Sequence, residues 1–159
     1  MVKLLVMSGV PGCGKSTWAR RFISMHNAVI VSRDSIRFSL LEKDDDYFAR
    51  EDEVTACFYN LLRGFIESGE YEYVIADATH NTRKSRNYML DQLNLENVEV
   101  IPVNFEVSLQ RCIAQNEKRT GRACVPYGAI ERMWANRQPA EHDEKHAYAD
   151  IWTVKESDF

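Results

Sequence analysis

The sequence predicts an α/β fold built on a mostly parallel sheet of about five strands flanked by helices. Three observations carry that prediction. Short apolar runs with strand character alternate with segments of helical periodicity along the whole chain. A glycine-rich loop joins the first of these strands to the first helix. The 159 residues suffice for one sizeable core and are too few for two ordinary ones, so a single domain over 1–159 is expected.

Lys3 to Ser8 reads as a buried strand and Ser16 to Met25 as a helix. Ala28 to Ser32 is a second strand, followed by a short helix from about Asp34. In the next segment Val54, Cys57, Phe58, Leu61, Leu62, Phe65 and Ile66 fall at i, i+3, i+4, i+7, i+8, i+11 and i+12. That stripe is one face of a long helix, which stops near Gly69. Tyr73 to Ala76 is a strand, Thr82 to Leu95 a helix, Val98 to Phe105 a strand and Ser108 to about Lys118 a helix. Val125-Pro126 places proline where a further helix begins, with Ile130, Met133 and Trp134 on its buried face and Pro139 beyond its end. Ile151 to Val154 reads as a fifth, edge strand.

Hydrophobic residues make up 45% of the chain and charged residues 28%, the balance of a globular protein. No apolar run approaches the roughly 20 residues that cross a bilayer, and the short apolar run at the N-terminus leads straight into a motif, so a cytoplasmic location is expected. A net charge of −4 argues against indiscriminate nucleic-acid binding but leaves room for a local basic groove. The four cysteines, Cys13, Cys57, Cys112 and Cys124, show no CxxC pair or zinc spacing, and reduced thiols are expected.

Gly9-Val10-Pro11-Gly12-Cys13-Gly14-Lys15-Ser16-Thr17 fits the pattern GxxxxGK[ST] between strand and helix. Glycines let backbone N–H groups turn inward around phosphate oxygens, and the helix start adds free N–H groups and a positive dipole end. Lys15 is expected on the β- and γ-phosphates of a nucleoside triphosphate and the Ser16 hydroxyl on Mg²⁺. Asp77 closes the apolar strand Tyr73-Val74-Ile75-Ala76 and is the second candidate for the metal, directly or through water. It equally has a position from which to orient Arg37.

Three classes of protein share such a loop. A GTPase switch needs NKxD and DxxG motifs, which are absent, and an AAA-type ATPase normally needs a longer chain. A small kinase needs the loop, an acceptor-side base and an arginine-bearing lid. The base candidate is Asp34, in Val31-Ser32-Arg33-Asp34-Ser35-Ile36-Arg37, at the sheet edge where ligands of such folds bind. The same position suits a helix N-cap about equally. Arg37, three residues on, shares a face with Asp34 and suits a bidentate grip on an acceptor phosphate or carboxylate. Arg119 and Arg122, in Asn116-Glu117-Lys118-Arg119-Thr120-Gly121-Arg122, are the lid candidates, within a lid at about 115–125.

GVPGCGKSTWAR, VSRDSIRFSL, VIADATHNTRKSR and RTGRACVPYGAIERMW, in this order and spacing, resemble the kinase domain of phage-type polynucleotide 5′-kinases over about residues 1–137. The resemblance implies a P-loop kinase three-layer sandwich with a helical lid, using ATP and Mg²⁺ to phosphorylate the 5′-hydroxyl of RNA or DNA. It implies Lys15 and Ser16 on phosphates and metal, Asp34 as general base, Arg37 on the acceptor phosphate, a matching Asp77 and one lid arginine on the donor. An extra residue before Val125-Pro126 leaves either Arg119 or Arg122 as that arginine. The DxDxT motif of the phosphatase module that often accompanies these kinases is absent, so end-healing at the 5′ end alone is expected.

Some residues are expected to be bystanders. Arg83, Lys84 and Arg86 read as exposed charges at a helix start nearly as well as a grip on a strand. Glu141, Asp143, Glu144 and Lys145, around His142 and His146, read as a solvated face. Trp18, Trp134 and Trp152 belong to the core or its edge. His80 and Asn81 lie on the active-edge loop without an assigned role.

Overall fold

The computed structural model describes residues 1–159. Five strands form one sheet in the order β2-β3-β1-β4-β5, every neighbouring pair parallel. They are β1 (Val2–Ser8), β2 (Ala28–Ser32), β3 (Tyr73–Asp77), β4 (Val98–Glu106) and β5 (Trp152–Lys155). The helices are α1 (Lys15–Met25), α2 (Arg33–Leu40), α3 (Glu51–Ser68), α4 (Arg83–Leu93), α5 (Leu109–Glu117) and α6 (Tyr127–Ala135).

The alternation of side chains along β1 divides the core. Leu4 and Val6 join Val74 and Ala76 under α2, α3 and α4, against Ile36, Phe58, Leu62 and Met89. Leu5 and Met7 join Ile75 and Val103 on the opposite face, against Ala19, Phe22, Cys112 and Ile130 of α1, α5 and α6. A central strand buried on both faces explains why Leu4-Leu5-Val6-Met7 is continuously apolar. The result is a three-layer sandwich.

In α3 the buried residues are Val54, Phe58, Leu62 and Ile66, so the stripe is narrower than its sequence suggests and Leu61 is 40% exposed. Gly69 ends the helix at φ 69°, a left-handed cap that glycine adopts without strain. Because every strand runs the same way, the segments following β1, β2 and β3 gather at one sheet edge. Ser32 lies opposite Asp77 in the register of β2 and β3, which sets Asp34 beside the end of β3. No helix is long and apolar enough to cross a membrane.

Candidate active site

A cleft of about 1010 Å³ opens along this edge, with Lys15, Ser16, Asp34, Asp77, Arg119 and Arg122 all on its walls. Pro11, Gly12 and Arg37 line it too. Gly9 and Cys13 instead border a smaller cavity of about 350 Å³ on the outer side of the loop.

The loop takes its shape from its glycines. Gly12 has φ 84° and a Cβ there would lie 2.2 Å from the Cys112 carbonyl oxygen, so the backbone of α5 closes directly against the loop. Gly14, with φ 95°, is the N-cap of α1 and offers no side chain to the helix's free N–H groups. Those donors, with no acidic residue in the first turn, remain available to an anion. The Lys15 ammonium folds across the loop and donates to the carbonyls of Gly9 (2.8 Å) and Val10 (3.0 Å). Burial raises the pKa of the Cys13 thiol and Lys15 opposes the shift only in part, so Cys13 packs as a neutral thiol. Thr17 is exposed at the first turn of α1.

The Ser16 hydroxyl donates to Asp77 Oδ2 at 3.1 Å, joining the loop to β3. Burial raises the Asp77 pKa above the ordinary carboxylate range, against the pull of Lys15 and the Ser16 hydrogen bond. A hydroxyl and a carboxylate oxygen this close are hard donors of the kind magnesium takes alongside phosphate oxygens, so the pair fits that metal. There is no cluster of three or more His, Cys, Asp or Glu side chains arranged for a metal.

At the start of α2, the capping role open to Asp34 falls to Ser32, whose hydroxyl accepts from the Ser35 N–H at 3.2 Å. Asp34 Oδ1 accepts from Arg37 Nη1 (2.5 Å) and from the Tyr47 hydroxyl (2.7 Å). The side chain is half exposed, which leaves its other oxygen open to the cleft. Arg37 is only 3% exposed and its Nη2 donates to both oxygens of Glu51 at 2.9 Å. Its Nε is buried without a partner. Arg33 donates to Glu51 (2.6 Å) and Thr55 (2.7 Å), so Glu51 balances two guanidinium groups. Burial and the bond to Asp34 push the Tyr47 phenol far up, which keeps it a protonated donor.

The segment expected as the lid is the α5–α6 connection, with a 3₁₀ turn at Gly121–Ala123. Arg119 is exposed, makes no hydrogen bond or ion pair with its side chain, and lies near enough to Asp77 to oppose slightly the rise that burial gives its pKa. Arg122 donates across the cleft to the carbonyls of Asp45 (2.6 Å) and Glu42 (3.2 Å). The two arginines therefore occupy different places: Arg119 lies on the cleft wall within electrostatic reach of Asp77, and Arg122 ties the α5–α6 connection to the α2–α3 connection.

The basic cluster at the start of α4 does not behave as a set of exposed charges. Arg86 is fully buried, and its guanidinium donates to Glu144 (3.0 and 2.9 Å), the Ser8 hydroxyl (3.1 Å) and the carbonyls of His80 (3.0 Å) and Gln138 (2.6 Å). The Glu144 side chain is likewise fully buried, so the segment read as a solvated face contains a core anion. This network holds the residues just before the phosphate loop and just after β3. Asn81 belongs to the same frame, donating to the Met133 carbonyl at 2.6 Å. His80 has its pKa pushed down to about 3 by burial and by nearby Arg33, Arg86 and Lys15, which keeps it neutral at working pH and unsuited to proton transfer. Glu51, Tyr47, Arg86 and Glu144 carry no local motif: Tyr47 meets Arg37 10 residues away, Glu51 meets Arg37 14 away and Arg86 meets Glu144 58 away.

The AAA domain family matches this chain over residues 4–140. A chain of the Pnkp1/Rnl/Hen1 RNA repair complex is 27% identical, with a TM-score of 0.72, over 85% of this chain and 43% of its own length. This protein thus spans less than half of that relative. A fungal RNA kinase (12% identity, TM-score 0.66, 97% of this chain and 74% of that one) has the same fold. So does a sugar kinase from Janibacter sp. HTCC2649 (14% identity, TM-score 0.64, 98% and 86%). Chain length therefore does not separate an AAA-type ATPase from a kinase, since the matching family is itself described as an AAA domain.

Proposed function

Because the chain belongs to the AAA domain family and has a P-loop kinase fold, we propose that it moves the γ-phosphate of ATP to the 5′-hydroxyl end of RNA or DNA. The observation that carries the proposal is one cleft that joins the phosphate loop to a carboxylate with an open oxygen, Asp34. An ATPase needs only the first of these. The identity to a chain of an RNA repair complex supports a polynucleotide acceptor.

In this reading the loop N–H groups and Lys15 hold the donor phosphates, Lys15 releasing the Gly9 and Val10 carbonyls to do so. Ser16 and Asp77 hold magnesium, which screens phosphate charge when bound. Asp34 takes the proton from the acceptor hydroxyl as its oxygen bonds to the γ-phosphorus and the bond to the β-phosphate oxygen breaks. Tyr47 and Arg37 fix the carboxylate's orientation through its first oxygen. Arg119 reaches the charge that develops on the transferring group.

The second reading, a small-molecule kinase, draws support from Arg37. Its terminal nitrogens are already engaged by Glu51, Asp34 and Tyr47, so an acceptor phosphate must compete for it. One assay separates the two. Labelled ATP is offered to a 5′-hydroxyl oligonucleotide, a nucleoside 3′-monophosphate, the bare nucleoside and a panel of sugars. The proposal expects the first two to be phosphorylated and the bare nucleoside to be very poor. Transfer to a sugar alone, or equal use of nucleoside and nucleotide, removes it.

A further inference from the structure

The α5–α6 connection is tied to both ends of the cleft at once. Its neck is closed by Asn116, a buried residue whose Nδ2 donates to the Val125 carbonyl (2.7 Å) and whose Oδ1 accepts from the Val125 N–H (2.9 Å). The Arg119 N–H donates to the Asn116 carbonyl at 3.0 Å, and a 3₁₀ turn occupies Gly121–Ala123. With both ends pinned to one side chain, the loop between them is held as one piece. Arg119 and Arg122 sit three residues apart on that piece. Arg119 lies within electrostatic reach of Asp77, whereas Arg122 Nη1 crosses the cleft to the carbonyls of Asp45 (2.6 Å) and Glu42 (3.2 Å).

The segment that receives Arg122 carries the orientation of Asp34. From Glu42 the α2–α3 connection folds as successive turns: the Asp45 N–H donates to the Glu42 carbonyl (3.1 Å), the Asp45 carboxylate accepts from the Glu42 N–H (2.9 Å), and the Ala49 N–H donates to the Asp46 carbonyl (3.2 Å). Arg50 gathers Glu42, Asp45 and Glu53 at 3.3 to 3.7 Å. Tyr47 follows Asp45 by two residues, donates to Asp34 at 2.7 Å and accepts from Arg37 at 2.8 Å. A shift of the Glu42–Asp45 turn is therefore passed to the base through two residues. The turn also repels anions, because four of the five residues from Glu42 to Asp46 are acidic. Arg122 has no carboxylate partner of its own, and its seat on this turn brings a cation to an acidic segment.

We propose that Arg122 is a positioning latch that couples the two substrates: the donor triphosphate draws in Arg119, which seats Arg122 on the Glu42–Asp45 turn and so sets Tyr47 and Asp34 for an anionic acceptor. The inference rests on the polynucleotide kinase reading and deepens it to how that site is regulated. Each substrate favours the latched state through a contact of its own, the donor through Arg119 and the acceptor through Arg122's charge and the fixed base. Coupling of this kind is reciprocal, so the factor by which donor tightens acceptor equals the factor by which acceptor tightens donor. Arg122 touches no reacting atom; it acts through Tyr47.

The test measures binding of a fluorescent 5′-hydroxyl oligonucleotide by anisotropy, with and without the β,γ-imido analogue of ATP and Mg²⁺. In the wild type the analogue is expected to tighten the oligonucleotide about five- to tenfold, within the usual span of coupling between two sites, and the oligonucleotide to tighten the analogue by the same factor. Arg122→Ala, and Arg119→Ala at the other end of the loop, should each bring that factor to within about twofold of one. A merely structural role would change affinities without removing the coupling. On kcat/KM for the acceptor, Tyr47→Phe combined with Arg122→Ala should lose less than the product of the two single losses, since both act through Asp34. A wild-type factor near one, a factor that either alanine variant leaves intact, or strictly multiplicative losses overturns the latch and leaves the kinase reading standing. Transfer to a sugar and not to the oligonucleotide overturns both.

Discussion

Replacing Arg86 by methionine should destabilise the protein far more than its distance from the transferred phosphate suggests. The guanidinium and the Glu144 carboxylate are both fully buried, and five hydrogen bonds leave Arg86 for Glu144, Ser8, His80 and Gln138. Methionine fills much of the volume but strands Glu144 as an anion without its cation. Breaking a buried pair from one side costs about 3–5 kcal/mol, which for a chain of this size lowers Tm by roughly 6–20 °C. Arg86→Met with Glu144→Gln removes the stranded charge and should recover at least about 1 kcal/mol relative to the sum of the single changes. Urea and thermal unfolding of the four proteins at pH 7 measure the cycle. The pH profile adds a second reading. Burial pushes the Glu144 carboxyl up, but hydrogen bonds from Arg86, the Glu141 N–H and Tyr148 outweigh it and hold the pKa below the ordinary range. A depressed carboxylate stabilises the fold fully above its unfolded pKa and loses that contribution as pH falls through the folded value. Wild-type stability should therefore fall more steeply below about pH 5 than that of the double variant. A single variant that melts within about 2 °C of wild type, or strict additivity in the cycle, refutes the reasoning.

Asp34→Asn should leave nucleotide affinity nearly unchanged and reduce kcat by about 10² or more, the scale of a lost acid–base group. Lost nucleotide affinity with kcat intact would assign Asp34 to the donor side. Arg119→Ala should reduce transfer by about 10³ or more, as for a transition-state arginine. Arg122→Ala, which loses only its bonds to the Glu42 and Asp45 carbonyls, should mainly raise the acceptor KM. Equal, mild losses in steady-state kinetics would mean that the lid acts through general positive charge. Gly12→Ala drives a methyl group into the Cys112 carbonyl oxygen at a left-handed φ, and should cost about 2–4 kcal/mol and abolish the Tm rise given by ATP. A stable variant that still shows that rise would mean α5 moves away freely.

Much of the fold was legible because it is written locally. The phosphate loop states its own backbone through glycine at left-handed positions, and β1 announces burial on both faces by an unbroken apolar run. The fifth strand, expected at Ile151 to Val154, is found at Trp152–Lys155, paired parallel to β4 at the sheet edge. Asp34 and Asp77 could be singled out because strand ends in such a sheet converge. What escaped has no periodicity to detect. Glu144 sits in a run of charges that reads as solvent-facing, and only tertiary packing buries it against Arg86, 58 residues earlier. Glu51 looks like an ordinary acidic residue in the first turn of a helix, yet it neutralises Arg33 and Arg37. The two candidate lid arginines are equivalent by spacing, and they part because one meets the carbonyls of a loop almost 80 residues earlier.

The central position of β1 also sets an order of assembly. Its residues are made before those of the other four strands, yet they pair with Tyr73 to Ala76 on one side and with Val98 to Asn104 on the other. The phosphate loop that follows is closed from outside by the backbone at Cys112. A nascent chain therefore carries its glycine motif unformed until both β3 and β4, and then α5, have left the ribosome. Contacts so distant along the chain form slowly, because long loops must close before any of them is rewarded. Until then Leu4 to Met7 is an unpaired apolar strand, the kind of segment that holding chaperones shield. On this order of assembly nucleotide acts late, as a ligand that stabilises the finished loop.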